Sequence, residues 1–330
     1  MKKPAVRKKP VARKTADRNS ATTGQRAARR PRTGRVAALK PGHYSDGLPL
    51  DDIQYLECKL ILRTNGFTSA KGFRKYAKLV AHAAKECGVD FDQKPARGAR
   101  PAIREVMFLD SKDFRLYNHA FILRRRVRFE DGFPVEEPEV VFKFRHPDQQ
   151  RAAELDVRPQ IPGSYRIKFK AEALPLKDRV GGYRLLYSHN VQFPLSHAAE
   201  GDRMSLANVV GMFPALAPLW PSRRGRVELV NRTIVEEVLQ DLGTLDFGKG
   251  VTANANVALW RTRGEHQPLV GEFAYQVKFR QRDEVHDKAR DRCARFFIRL
   301  QELGADWLYL GATKTAMVYR LHGNPPQAHE

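Results

Sequence analysis

The stretch Ile122-Leu-Arg-Arg-Arg-Val-Arg-Phe129 decides how the rest of the chain is read. A core strand should not carry four arginines, and a solvated loop should not carry this much aliphatic residue. Side chains alternate across a strand, so Ile122, Arg124, Arg126 and Arg128 share one face, while Leu123, Val127 and Phe129 share the other, with Arg125 as an intruder. The same division recurs. Val140, Phe142 and Phe144 alternate with Val141, Lys143 and Arg145, and Tyr165, Ile167, Phe169 and Ala171 alternate with Arg166, Lys168, Lys170 and Glu172. Leu56, Cys58, Leu60 and Leu62 lie opposite Tyr55, Glu57, Lys59 and Ile61, and Phe273, Tyr275 and Val277 lie opposite Glu272, Gln276 and Lys278. Ala153, Leu155 and Val157 alternate with Glu154, Asp156 and Arg158, which predicts one more strand.

Patterning alone fits two geometries equally: a sandwich with its charged faces in water, or a closed barrel with them turned inward. Two details favour the barrel. Basic residues hold successive same-face positions (124 and 126, 143 and 145, 168 and 170), where a solvated face usually mixes signs. The chain also contains amphipathic helices that need an apolar wall to cover. Phe73, Tyr76, Val80, Ala84 and Cys87 recur at helical spacing after Ser69 and before Gly88, and a second helix is expected over about 283–303. The expected fold class is α+β: a closed antiparallel β-barrel, or tunnel, with a charged lumen, flanked by amphipathic helices. Buried cations without partners cost several kcal/mol each, so a cationic lumen implies a polyanionic occupant. Phosphate chains suit it best, because Arg offers bidentate donors and Lys a compact charge.

The remainder of the chain sets the limits. It has 330 residues, an ordinary apolar fraction of 42%, and a formal net charge of +22. Fourteen Lys and Arg residues against the single acid Asp17 fall within residues 1–40, which predicts a disordered basic tail over 1–45 ahead of one domain spanning 46–330. Such a tail can bind nucleic acid or polyphosphate by counterion release. No apolar run is long enough to span a bilayer, so a soluble, cytoplasmic protein is expected, a mitochondrial transit peptide being the competing reading of the tail. Cys58, Cys87 and Cys293 lack metal-ligand spacing and read as reduced thiols. Residues 174–225 stay unassigned as an insert. "TIVEEVLQDLG" (233–243) reads as a short helix, and "WLYLGATKTAMVYRL" (307–321) as two closing strands.

In this order the residues resemble the CYTH or triphosphate tunnel metalloenzyme superfamily. Glu57-Cys58-Lys59 matches the second half of its opening Glu-x-Glu-x-Lys strand, and "FLDSKDFRLYNHAFILRRR" resembles its next block through Asp110, Leu116, Leu123, Arg124 and Arg126. Lys143, the pair Glu154 and Asp156, Lys168 or Lys170, Arg232 and Glu272 fit its later positions. Tyr55 departs from the pattern where the first Glu belongs, and Ala274 where a second carboxylate often follows the one matched by Glu272.

The resemblance implies a metal-dependent hydrolase of inorganic triphosphate, short polyphosphate or an organic triphosphate. Lys59, Arg124, Arg126, Lys143, Arg145, Lys168, Lys170 and Arg232 would bind phosphate, and Glu57, Glu154, Asp156 and Glu272 would hold Mg²⁺ or Mn²⁺. No catalytic residue is singled out. Two alternatives stay open: a polyphosphate- or nucleotide-binding protein without turnover, and a nucleic-acid-associated protein acting through its basic tail.

Overall fold

In the computed structural model, residues 43–44, 47, 49–198, 200–280 and 282–322 are described. The predicted tail, apart from His43 and Tyr44, lies outside them.

Nine strands close into a ring. In chain order they are β1 (Tyr55–Leu62), β3 (Ala102–Asp110), β4 (Phe121–Glu130), β6 (Glu139–His146), β7 (Arg166–Pro175), β8 (Tyr183–Pro194), β9 (Glu228–Asp246), β10 (Thr252–Thr262) and β11 (Pro268–Lys278). Around the barrel the order is β10-β11-β1-β7-β8-β6-β4-β3-β9, and β9 pairs back to β10. Two short strands sit on the rim, β2 (Asp90–Asp92) on β9 and β5 (Phe133–Pro134) on β4. Directions cannot alternate all the way round an odd ring, so at least one neighbouring pair must run parallel. That pair is β1 with β7, which places Tyr55 beside Lys170 and Glu57 beside Glu172. The barrel is therefore mixed, not wholly antiparallel as expected.

The apolar faces point outward, where helices cover them. Helix α1 (Ala70–Cys87) buries Phe73, Tyr76, Val80 and Ala84, and α5 (Asp287–Leu303) buries Ala289, Cys293, Phe296 and Leu300. Both pack on Cys58, Leu60, Leu62, Val257, Phe273 and Tyr275 of the wall. Each fully buried large apolar side chain in such a layer contributes roughly 1.5–3 kcal/mol. On the opposite side α3 (Gln149–Glu154) and α4 (Leu206–Met212) cover Leu123, Phe142, Phe169 and Val191. A third apolar cluster lies inside the barrel at one end. There Ile61, Val106, Phe108, Ile122 and Trp260 meet Ala316, Val318 and Tyr319 of α6 (Lys314–Tyr319), while α2 (Arg115–Asn118) contributes Tyr117. These residues form an apolar floor beneath the charged stretch of lumen.

Three local expectations are corrected, and the unassigned region gains a strand. Residues 233–243 are not a helix but the middle of β9: Thr233, Ile234, Val235 and Val238 are β-branched, and partners are present on both edges, β3 and β10. Gly243 (φ +119°) ends that stretch where the rim strand crosses, and a Cβ there would lie 2.1 Å from the Asp92 carbonyl oxygen. Residues 153–158 are not a strand either. They complete α3, whose Asp148 cap accepts from the Arg151 N–H at 2.9 Å, and then run on irregularly. The unassigned region 174–225 contains β8, a full wall strand. The segment 307–321 forms α6 instead of two strands, capped by Thr313 accepting from the Ala316 N–H at 3.2 Å. The three cysteines are free, with Cys58 of β1 and Cys293 of α5 both buried in the layer between wall and helix. Among the described residues no helix is long and apolar enough to cross a membrane.

Candidate functional site

Because the outer faces are fixed by the helices, register assigns the inner ones. Lys168 and Lys143 both flank Asn190, Lys170 flanks Ser188, Arg126 flanks Glu139, and Arg104 lies between Arg128 and Glu237. Seven of the eight basic residues expected to bind phosphate thus line one lumen: Lys59, Arg124, Arg126, Lys143, Arg145, Lys168 and Lys170. Arg232 does not join them. It sits exposed on an irregular, left-handed step of β9 (φ +52°), beside Gly264, Leu321 and His322. At the end opposite the floor a cavity of about 840 Å³ opens between Arg104, Arg126, Arg128, Glu139 and Arg166.

Two knots of charge organise the interior. In the first, Glu172 is fully buried and accepts hydrogen bonds from Lys59 at 3.0 Å, from the Ser188 hydroxyl at 2.7 Å and from Lys143, with Arg145 at 3.6 Å. Burial works to raise its pKa, but Lys143, Lys59 and Arg145 outweigh it and hold the carboxyl well below the usual range. Lys59 also reaches Glu57 at 3.1 Å, and Lys170 reaches Glu57 at 3.3 Å and the Gln276 side-chain oxygen at 2.8 Å. Glu57 is lowered in the same way, burial being overcome by Lys59 and Lys170. Lys143 itself is pushed down, by burial first, then by Arg145 and Lys59 against the pull of Glu172.

The second knot lies across the barrel. Glu237 pairs with Arg104 at 2.6 Å and Lys314 at 3.1 Å, and accepts from the Trp260 indole N–H at 2.8 Å. Glu272 pairs with the same Lys314 at 2.6 Å. Glu237 is held below the carboxylate range because Lys314 and Arg104 outweigh its burial.

Between the knots stand cations with less compensation. The Arg124 Nε is buried with no hydrogen-bond partner, and burial, then repulsion from Arg126, pushes its guanidinium down to about 10. Lys168 is pushed to about 8 by burial, then by Lys170 and Arg166. Its ammonium lies 5.0 Å from the centre of the Tyr55 ring, so the residue that departs from the family's first Glu serves as a cation–π face.

The carboxylates predicted to hold metal do not come together. Glu57 and Glu272 face the lumen, but Glu154 ends α3 on the outer wall, bonded to Gln150, and Asp156 follows it, engaged by Arg158. Among the described residues no group of three or more His, Cys, Asp or Glu is placed to hold a metal ion. Glu57, Glu172, Glu237 and Glu272 are each tied to a lysine and Glu139 to Arg126, so the donor set does not fit Mg²⁺ or Mn²⁺. Asp110, matched to the family's aspartate, is a structural latch: it accepts from the N–H groups of Ser111, Leu116 and Tyr117 and from the Tyr319 hydroxyl at 3.0 Å, and burial raises it to about 6.

The sequence reading missed Glu172, Glu237, Arg104 and Lys314 as site residues. Glu172 was legible as the next inward position after Arg166, Lys168 and Lys170. Glu237 was hidden by the helical reading of 233–243, and Lys314 by the strand reading of 307–321.

No family model matches this sequence, and no curated protein does either. Solved structures with a related course of chain include HpAC1 from Hippeastrum, a candidate adenylyl cyclase described as having a dominant triphosphatase activity. It is 11% identical, with 83% of this chain and 98% of that one covered and a TM-score of 0.38. A candidate adenylate cyclase from Bacillus halodurans is 9% identical over 80% of this chain and 95% of its own, at a TM-score of 0.35. A protein from Pyrococcus horikoshii is 12% identical over 81% and 99%, at 0.31. At scores and identities this low, the reading of the site rests on this chain's own geometry.

Proposed function

We propose that the barrel binds a linear phosphate chain, as triphosphate, short polyphosphate or the phosphate tail of an organic triphosphate. The observation that carries this reading is Arg124. Its guanidinium keeps a buried, unpartnered Nε and a lowered pKa, and Lys168 in the same lumen is lowered to about 8. Charges held this way raise the energy of the empty barrel, and a polyanion between them would relieve it. Arg supplies directed donors to phosphoryl oxygens, while Lys168 and Lys170 add point charge.

The reaction class that suits a chain held in this way is hydrolysis of a phosphoanhydride bond, so binding and phosphate release need separate measurement. The test is calorimetric titration of the full chain with triphosphate, short polyphosphate, ATP and orthophosphate, alongside phosphate release with and without Mg²⁺ or Mn²⁺. Linear chains are expected to bind, and more tightly than orthophosphate. Equal, weak binding of all four would sink the reading. Release of phosphate would make the protein a hydrolase, and binding without release a receptor.

A further inference from the structure

The four carboxylates of the two charge knots occur as two pairs, and each pair has a lysine ammonium between its members. Lys59 Nζ lies 3.1 Å from Glu57 and 3.0 Å from Glu172, and Lys314 Nζ lies 3.1 Å from Glu237 and 2.6 Å from Glu272. Lys59 belongs to the barrel wall. Lys314 arrives from outside it, on the first turn of α6. That helix is anchored by the Asn231 side chain, which donates to the carbonyls of Val318 and Tyr319 at 2.8 and 3.0 Å, and by Tyr319 on Asp110. The Trp260 ring face, 4.5 Å from Nζ, closes another side of the ammonium.

We propose that Lys314 is a tethered cation standing where a divalent metal would otherwise bridge Glu237 and Glu272, so that the barrel holds a phosphate chain without metal. The chemistry fits. Two carboxylates converging on one point in a low-dielectric interior need positive charge between them, and a hard divalent cation or an ammonium can supply it. The helix anchors fix the ammonium in place, and a chelator cannot remove it. A barrel neutralised in this way favours the free polyanion over its Mg²⁺ complex, since its counter-charge is already built in. The second half of the proposal rests on the phosphate-chain reading; the first half does not.

The experiment titrates Mn²⁺ alone, without phosphate, into the full-length chain and its Lys314→Met and Lys314→Arg variants, following free Mn²⁺ by electron paramagnetic resonance and thermal midpoint by calorimetry. Lys314→Met is expected to bind Mn²⁺ at least about tenfold more tightly than the parent and Lys314→Arg, and to be thermally stabilised by it. Equal Mn²⁺ binding by parent and Lys314→Met, or no gain in a folded Lys314→Met, would overturn the proposal. Should Lys314→Met not fold, the parent protein decides alone: its triphosphate affinity is expected to stay within about twofold when EDTA is added, and loss of binding in EDTA refutes the metal-free barrel. If the parent binds no triphosphate under any condition, the phosphate-chain reading falls, while the Mn²⁺ titration still judges Lys314.

Discussion

The two charge knots solve one electrostatic problem in different ways. Glu172 is neutralised by its own wall, through Lys59 of β1 and Lys143 and Arg145 of β6. The pair Glu237 and Glu272 depends on Lys314, which comes from the last helix described and reaches in over the apolar floor. The first arrangement forms as the barrel closes. The second forms only when α6 docks, so it couples the chain's C-terminal helix to the charge state of the lumen.

The largest effect that would separate them is expected from Glu172→Gln. Losing that carboxylate removes the anion shared by Lys59, Lys143 and Arg145, Lys59 keeping Glu57, and breaking a buried pair in this way costs about 3–5 kcal/mol, read as a lowered urea midpoint. A near-neutral result would mean that the wall relaxes to let water in. Lys314→Met should cost less, about 2–3 kcal/mol, because Glu237 keeps Arg104 and the Trp260 indole N–H and only Glu272 loses its ion-pair lysine. An equal or larger loss would place the second knot, not the first, at the centre of stability.

A subtler difference appears in pH dependence. The Lys168 pKa is lowered to about 8 in the empty barrel, and a bound polyanion raises it back toward the ordinary lysine value, so binding takes up a proton above that pH. Triphosphate affinity is expected to be flat below pH 8 and to fall as pH rises through 8, and titrations in buffers of different ionisation enthalpy would report the proton. Affinity that holds steady from pH 7 to about 9.5 would remove Lys168 from the site. The smallest effect is expected at Arg232, exposed on its irregular step. Arg232→Ala should change triphosphate affinity by less than about twofold, and a larger loss would show that the lumen extends to that rim.

What the sequence disclosed depended on charge. Strands with basic inward positions, β1, β4, β6 and β7, are marked by period-two alternation, and seven lumen cations follow from it. Strand β8 is equally part of the wall, but its inward Ser188, Asn190 and Gln192 carry no charge, so the same reading passes over it. Residues 233–243 satisfy helical and extended periods together; the β-branched Thr233, Ile234, Val235 and Val238 lean toward a strand, but only the neighbours β3 and β10 settle it and with it the inward place of Glu237. Lys314 is the extreme case. Nothing around it in the chain marks it, and its role exists only where α6 meets β9 and β11. The wall was legible because its register is local, whereas the floor and its lysine depend on tertiary contacts.

The central claim is that the lumen's under-compensated cations, Arg124 and Lys168, await a phosphate chain, and Arg124→Ala tests it most directly by setting stability against affinity. The account predicts opposite signs: removing a guanidinium with a buried, unpartnered Nε leaves the urea midpoint unchanged or raised, while triphosphate binding weakens by about tenfold or more, the worth of one charged hydrogen bond. Unchanged triphosphate affinity in a folded Arg124→Ala variant would contradict it.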